Sequence, residues 1–333
     1  MKRILFLLLI LILVLAAGCT AEPSASDPGG DTGSITHIRL PMGFIPDPQY
    51  APFYVAADKG YFAEEQLSVE FDYSDETDGV SLVGAGELPF AIVSGEQVVL
   101  GRAQELPLVY ILEWFQRFPI AVVSKAPAGI EEPADLAGRT VGLPGFFGAS
   151  FVGYTGLLAA AGLPDTAVDA EEIGFTQVET LLADRVDAVV GYANNEPVQL
   201  RARGEEINVI HVADYIDLVA NGIVTNETTI AENPELVERF VRATLRGLAD
   251  TLADPDGAYE ISKQYVEGLD DSRMNVLEAS LPLWEAETLG YTEPESWEQT
   301  HAILLEMGLL DEPLPDLDIL YTNRFVLEAQ PGE

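Results

Sequence analysis

From residue 36 onward the chain alternates short apolar runs with amphipathic stretches, and this alternation constrains its fold more than any other feature. The runs "HIRLPMGF" (37–44), "LSVEFDY" (67–73), "LPFAIVS" (88–94) and "LPLVYILEWF" (106–115) read as strands. Helices are predicted between them, over 50–63 and 95–104. A second series opens with the strand "FPIAVVSK" (118–125) and a short helix within 130–138. It continues through the strand "RTVGLPG" (139–145), a helix over 148–161, and a helix then a strand in "VETLLADRVDAVVGY" (178–192). "DLVANGIVTN" (217–226) reads as a further strand. Such a succession argues an α/β layer structure with largely parallel sheets. In the stretch 233–255, Leu236, Phe240, Val241, Leu245 and Leu248 fall on one helical face behind an Asn233-Pro234 cap. The remaining C-terminal third is helical and is expected to pack back on the first sheet. The predicted division is a first lobe of 36–117 plus 227–325 and a second lobe of 118–226, joined by two crossings. Ligands of open α/β sheets bind beyond the carboxyl ends of the strands, here a cleft between the lobes.

Charge narrows the partners. Acidic residues number 55 against 17 basic ones, a net charge of −38, and such a surface repels the phosphate backbone of nucleic acids. The opening segment "MKRILFLLLILILVLAAGC" has Lys2 and Arg3 at its head and an apolar run from Ile4 to Leu15. That run is shorter than the roughly 20 residues a membrane-spanning helix needs. With Ala16-Ala17-Gly18 before Cys19 it resembles a bacterial lipoprotein signal, although Leu is commoner than Ala at the position of Ala16. The reading is a signal peptide over 1–18, a lipidated Cys19, and a flexible Pro- and Gly-rich tether through residue 35. The protein is thus expected to be extracytoplasmic and lipid-anchored at a cell membrane. Cys19 is the only cysteine, which excludes disulfides, thiol catalysis and cysteine-ligated metal.

Four segments carry a family resemblance: "PDPQYAPFYVAADKGYFAEEQLSVE" (46–70), "FAIVSGEQVVLGRAQELPLV" (90–109), "EEPADLAGRTVGLPG" (131–145) and "VDAVVGYANNEPVQL" (186–200). The chain resembles the periplasmic substrate-binding proteins of ABC importers, in the group that carries thiamine pyrimidine precursors and, in some members, riboflavin. The resemblance implies a type II periplasmic binding protein, a Venus flytrap whose two lobes close on ligand by hinge motion. It also implies a membrane permease with its ATPase as partner. Some fungal relatives are enzymes that make the thiamine pyrimidine by consuming one of their own histidines, and they carry a cysteine-rich segment. This chain has "PGFFGASF" (144–151) instead, and its three histidines, His37, His211 and His301, fall outside the expected ligand loops.

Four loops should face the cleft: 43–54, 94–97, 143–150 and 191–197. None contains Lys, Arg or His, which favours a neutral ligand over a taurine- or nitrate-type anion. An anion would need Arg117 or Lys125 in the cleft. The candidate stacking rings are Tyr50, Tyr54, Trp114, Phe146, Phe147 and Tyr192, of which one of Phe146 and Phe147 should face the ligand. Phe53, Phe62 and Phe151 read as core. The candidate polar contacts are Asp47, Ser94, Asn195 and Glu196, with Glu96 and Asn194 beside them. Glu196 is the sharpest, since a carboxylate accepts from a flavin imide or an aminopyrimidine, and in the resembled family the matching acid contacts the heterocycle. Asn194, Asn195 and Glu196 can equally cap the helix beginning at Pro197.

No G-x-S-x-G elbow, phosphate loop or H-E-x-x-H motif is present, so neither a catalytic residue nor a metal ligand is assigned. No cofactor is implied; a flat vitamin, riboflavin first, enters as a transported ligand. A thiamine pyrimidine precursor such as formylaminopyrimidine or hydroxymethylpyrimidine uses the same residues. Two other classes stay open at this level: a sensory binding module and a pyrimidine-synthesising enzyme.

Overall fold

A computed structural model describes residues 35–330 of the chain. The signal peptide, Cys19 and the tether up to Ser34 lie outside the described residues. Among the described residues ten strands form the sheets: β1 (Thr36–Gly43), β2 (Leu67–Asp75), β3 (Ala91–Ser94), β4 (Leu108–Glu113), β5 (Ile120–Lys125), β6 (Thr140–Leu143), β7 (Asp169–Glu172), β8 (Ala188–Tyr192), β9 (Ile207–His211) and β10 (Asn221–Asn226).

The first lobe holds the parallel pair β1–β2 and, beside it, the three strands β3-β10-β4. The second lobe is the five-stranded sheet β7-β6-β8-β5-β9. The chain passes from one to the other between β4 and β5 and returns between β9 and β10.

Two expectations are corrected by this topology. Residues 221–226, assigned above to the second lobe, pair with β3 and β4 in the first. The sheets are also not largely parallel. β1–β2, β6–β7 and β6–β8 are parallel, but β10 runs antiparallel to β3 and β4, and β5 antiparallel to β8 and β9. Both reversed strands are the first that the chain enters after a crossing. A chain arriving from the opposite lobe comes in at the cleft side and runs away from it, whereas strands fed by helices within a lobe run toward it.

The helix Pro234–Ala253 buries Leu236, Phe240, Val241, Leu245 and Leu248, as their spacing predicts, and Asn233 Oδ1 accepts from the Leu236 amide at 3.3 Å. It packs against the helix Ala51–Asp58 of the first lobe. Phe90 and Phe62 stack on Phe240 with centroids 4.2 and 5.6 Å away, tying the C-terminal segment to the first lobe. No described helix is long and apolar enough to cross a membrane.

Candidate functional site

A cavity of about 350 Å³ opens where the carboxyl ends of the strands meet. Its first-lobe wall comes from Met42–Phe44 at the end of β1, Asp75–Thr77 after β2, Gln97 after β3, Trp114 after β4 and Asn221 at the start of β10. The second lobe contributes Pro144 and Phe147–Ser150 after β6, Phe175 after β7, and Tyr192, Asn195 and Glu196 after β8. Strand ends deliver every one of these segments, which is where an α/β sheet leaves backbone and side chains free of its own packing.

Six of the ten residues singled out in the sequence line this cavity: Tyr50, Trp114, Phe147, Tyr192, Asn195 and Glu196. Tyr50 ends a short turn of 3-10 helix, donates from Oη to the Met42 carbonyl at 2.7 Å, and stacks on Trp114 with centroids 5.4 Å apart. Phe53 packs edge-on against Trp114 at 5.2 Å and lies beside Tyr50, centroids 6.4 Å apart. The two rings of the wall are therefore fixed before any ligand arrives. Phe147, by contrast, is 63% exposed at the mouth, and Gly148 beside it holds φ +67°, a left-handed turn that turns the chain into the following helix.

Four expected contacts lie elsewhere. Tyr54 is fully buried, parallel to Tyr265 at 4.5 Å and hydrogen-bonded to Tyr73 Oη at 3.0 Å. The four-residue spacing does bring the two rings together edge-on, centroids 6.4 Å apart, but Tyr54 stands behind Tyr50 and only Tyr50 lines the cavity. Asp47 accepts from the Gln49 amide at 3.0 Å and pairs with Arg273, a structural cap instead of a lining group. Ser94 is buried behind the wall between two carboxyls. Phe146 is half-exposed, edge-on to Phe151, and does not line the cavity.

Electrostatically the cavity is acidic. Among the described residues, no lysine, arginine or histidine lines it. Arg117 pairs with Asp214 and Lys125 with Asp184, neither at the cavity. Glu196 Oε2 accepts from the Tyr192 amide at 2.7 Å, and Oε1 from Asn195 Nδ2 at 3.2 Å. Burial pushes its carboxyl up to about 7, against the pull of backbone amides. Glu196 thus both opens the helix Glu196–Ala202 and faces the cavity. Asn194 instead reaches across from the second lobe to donate to Ser280 Oγ at 2.8 Å.

Gln49, Glu76, Gln97, Phe175 and Asn221 also line the cavity; Gln49 and Gln97 fall in loops expected to face the cleft, although neither is singled out, and the other three fall outside those loops. For Glu76 the available signal is position, since it directly follows the carboxyl end of β2. Asn221 links the lobes, accepting from Tyr192 Oη at 3.2 Å and donating to Glu76 at 3.1 Å.

Two lobes crossed twice by the chain, with a cavity walled by strand ends from both, define a type II periplasmic binding protein. The aliphatic sulphonate-binding protein SsuA of Escherichia coli shares this fold, with a TM-score of 0.72 at 13% identity over 87% of this chain and 93% of that one. The chain belongs to the NMT1/THI5-like family, whose model matches residues 47–258. It is 41% identical to the riboflavin-binding protein RibY of Chloroflexus aurantiacus over 98% of both chains. It is 27% identical to a formylaminopyrimidine-binding protein of Halalkalibacterium halodurans, over 94% of this chain and 97% of that one. At 24% identity, over 87% of this chain and 92% of the relative, it also matches a 4-amino-5-hydroxymethyl-2-methylpyrimidine phosphate synthase of Legionella pneumophila.

Proposed function

We propose that this chain is the substrate-binding lipoprotein of an ABC importer, that it binds riboflavin between its lobes, and that it delivers the vitamin to a membrane permease. The observation that carries this reading is the cavity lining: the Tyr50–Trp114 stack on one wall, Phe147 and Phe175 at the mouth, and no cation among the lining residues. A flat uncharged ring system gains roughly 0.5–1.5 kcal/mol per aromatic contact beyond its buried area. The cavity volume lies in the range of about 300–1,000 Å³ usual for small-molecule sites. Full-length likeness to a riboflavin-binding protein supports the same ligand. Glu196 is assigned as the acceptor for a ring N–H, with Asn195 available to a polar side chain of the ligand. Cys19, outside the described residues, is assigned as the lipid attachment that holds the domain at the extracytoplasmic face. The cavity is assigned a binding role, which the full-length likeness to a binding protein supports.

Titration of residues 20–333 with riboflavin, followed by flavin fluorescence, tests the ligand. Stacking on Trp114 and Tyr50 should quench the emission saturably, and Trp114→Ala should weaken binding. A flat titration would move the assignment to formylaminopyrimidine or hydroxymethylpyrimidine, whose exocyclic amine suits the same Glu196.

A further inference from the structure

A second carboxyl stands behind the cavity wall. Glu76 opens the helix Glu76–Gly84 and lines the cavity; Glu96, in the first turn of the helix Gly95–Ala103, is buried and does not. Ser94 Oγ lies between them, 2.7 Å from Glu76 Oε2 and 2.5 Å from Glu96 Oε1. A serine hydroxyl carries one hydrogen and can satisfy only one of two carboxylates. Both contacts are at O–H···O length, so the second requires a hydrogen supplied by a carboxylic acid.

The other donors decide which residue is the acid. Glu76 also accepts from the Ser94 amide at 3.3 Å and from Asn221 Nδ2 at 3.1 Å. Glu96 has, besides its own backbone amide, one further donor, Gln97 Nε2 at 3.3 Å on Oε1, and its Oε2 has no partner among the described residues. Several donors favour the ionised form, whereas a buried carboxylate oxygen with none pays its full desolvation cost. A neutral acid leaves only a carbonyl oxygen there, which is far cheaper to bury bare.

We propose that Glu96 is a neutral acid that donates through Ser94 Oγ to an ionised Glu76, and that Glu76 is a specificity-determining acceptor for N–H or O–H donors of the bound ligand. No covalent step is involved; one proton stays on Glu96 and the Ser94 hydrogen points to Glu76. With Tyr192 Oη donating to Asn221, a continuous line of hydrogen bonds runs from the second lobe through Asn221, Glu76 and Ser94 to Glu96. The titratable groups around the pair are Tyr50, Tyr110 and Tyr192, with Asp75 and Glu196 on the same cavity. Burial raises both carboxyls, which disposes the pair to hold a proton. Acceptors from both lobes, Glu76 and Glu196, then face a ligand rich in hydrogen-bond donors.

The acceptor role rests on the vitamin-binding reading; the placement of the proton does not. Infrared spectra of the ligand-free protein at neutral pH test the proton directly. Glu96→Gln should remove one buried carboxylic-acid C=O band that Glu76→Gln retains, and Ser94→Ala should shift that band. The shift keeps the proton testable even where Glu96→Gln fails to fold. The same band in wild type and Glu96→Gln, or its loss in Glu76→Gln instead, overturns the assignment. For the acceptor role, Glu76→Gln should weaken riboflavin or formylaminopyrimidine, whichever the wild type binds, by about tenfold or more. Unchanged affinity overturns that role. A wild type that binds neither ligand overturns the vitamin reading and the acceptor role together, while the infrared result still decides the proton.

Discussion

At the scale of single residues, the buried acids carry the chemistry. Glu113 ends β4 with its carboxyl enclosed at the second crossing, where Oε1 accepts from the Ala220 amide at 2.9 Å. Burial pushes it up to about 8, and hydrogen bonds from Ala220 and Thr292 pull it only partly back. The folded protein therefore holds this proton more tightly than the unfolded chain, whose carboxyl keeps the ordinary value of 4.5. The stability it contributes is complete below that ordinary value and is lost as pH rises through about 8. Glu113→Gln keeps an acceptor for Ala220 and cannot ionise. Urea denaturation at several pH values should show the variant gaining on the parent from about pH 5 to pH 8. Parallel curves would mean that Glu113 does not hold the proton.

At the scale of elements, the turn after β8 sets the position of Glu196. A Cβ on Gly191 would stand 2.3 Å from Glu196 Oε2, so Gly191→Ala must push that carboxylate off the Tyr192 amide. The obstructing atom is the end of a flexible side chain, so the fold should survive while riboflavin affinity falls by about tenfold. Full affinity in this variant would remove Glu196 from the ligand contacts. Gly222 presents the opposite case: a Cβ there meets Tyr110 Oη at 2.0 Å and the Leu112 carbonyl at 2.2 Å, inside the β3-β10-β4 sheet. Backbone cannot step aside, so Gly222→Ala should cost about 1–3 kcal/mol in chemical denaturation.

The same scale shows how much the sequence discloses. The strand at 221–226 was legible from its apolar residues, but its lobe was not, because a strand pattern does not name its neighbours. β7, "DAEE", is a polar edge strand without apolar alternation, and no strand was expected there. Tyr50 and Tyr192 could be placed near the cleft because each belongs to a loop that follows a readable strand, and Trp114 because it stands at the end of one. Glu76 and Asn221 acquire their roles from each other, 145 residues apart, and local pattern cannot report such a pairing.

At the scale of the whole molecule, net charge and closure set the observable behaviour. A formal charge of −38 makes the compact state repel itself, and added salt screens that repulsion. The melting temperature should therefore rise as sodium chloride is added to a low-salt buffer; a flat response would mean the acidic groups are too far apart or too well paired to matter. Riboflavin that binds only the folded protein should add about 2.7 kcal/mol of stability at a hundredfold excess over its Kd. A thermal scan without a shift at saturating flavin would count against the ligand.

The order of strands also bears on how the molecule is made. All five strands of the second sheet lie in one uninterrupted span from Ile120 to His211. The middle strand of β3-β10-β4 comes from Asn221–Asn226, and the helix that packs on Ala51–Asp58 comes later still. During vectorial synthesis or passage through an export channel, the second lobe can complete its sheet while the first still waits for its central strand. The N-terminal half of the molecule is thus the last to finish folding, and until then its unpaired β3 and β4 edges are the surfaces that a holding chaperone would have to cover.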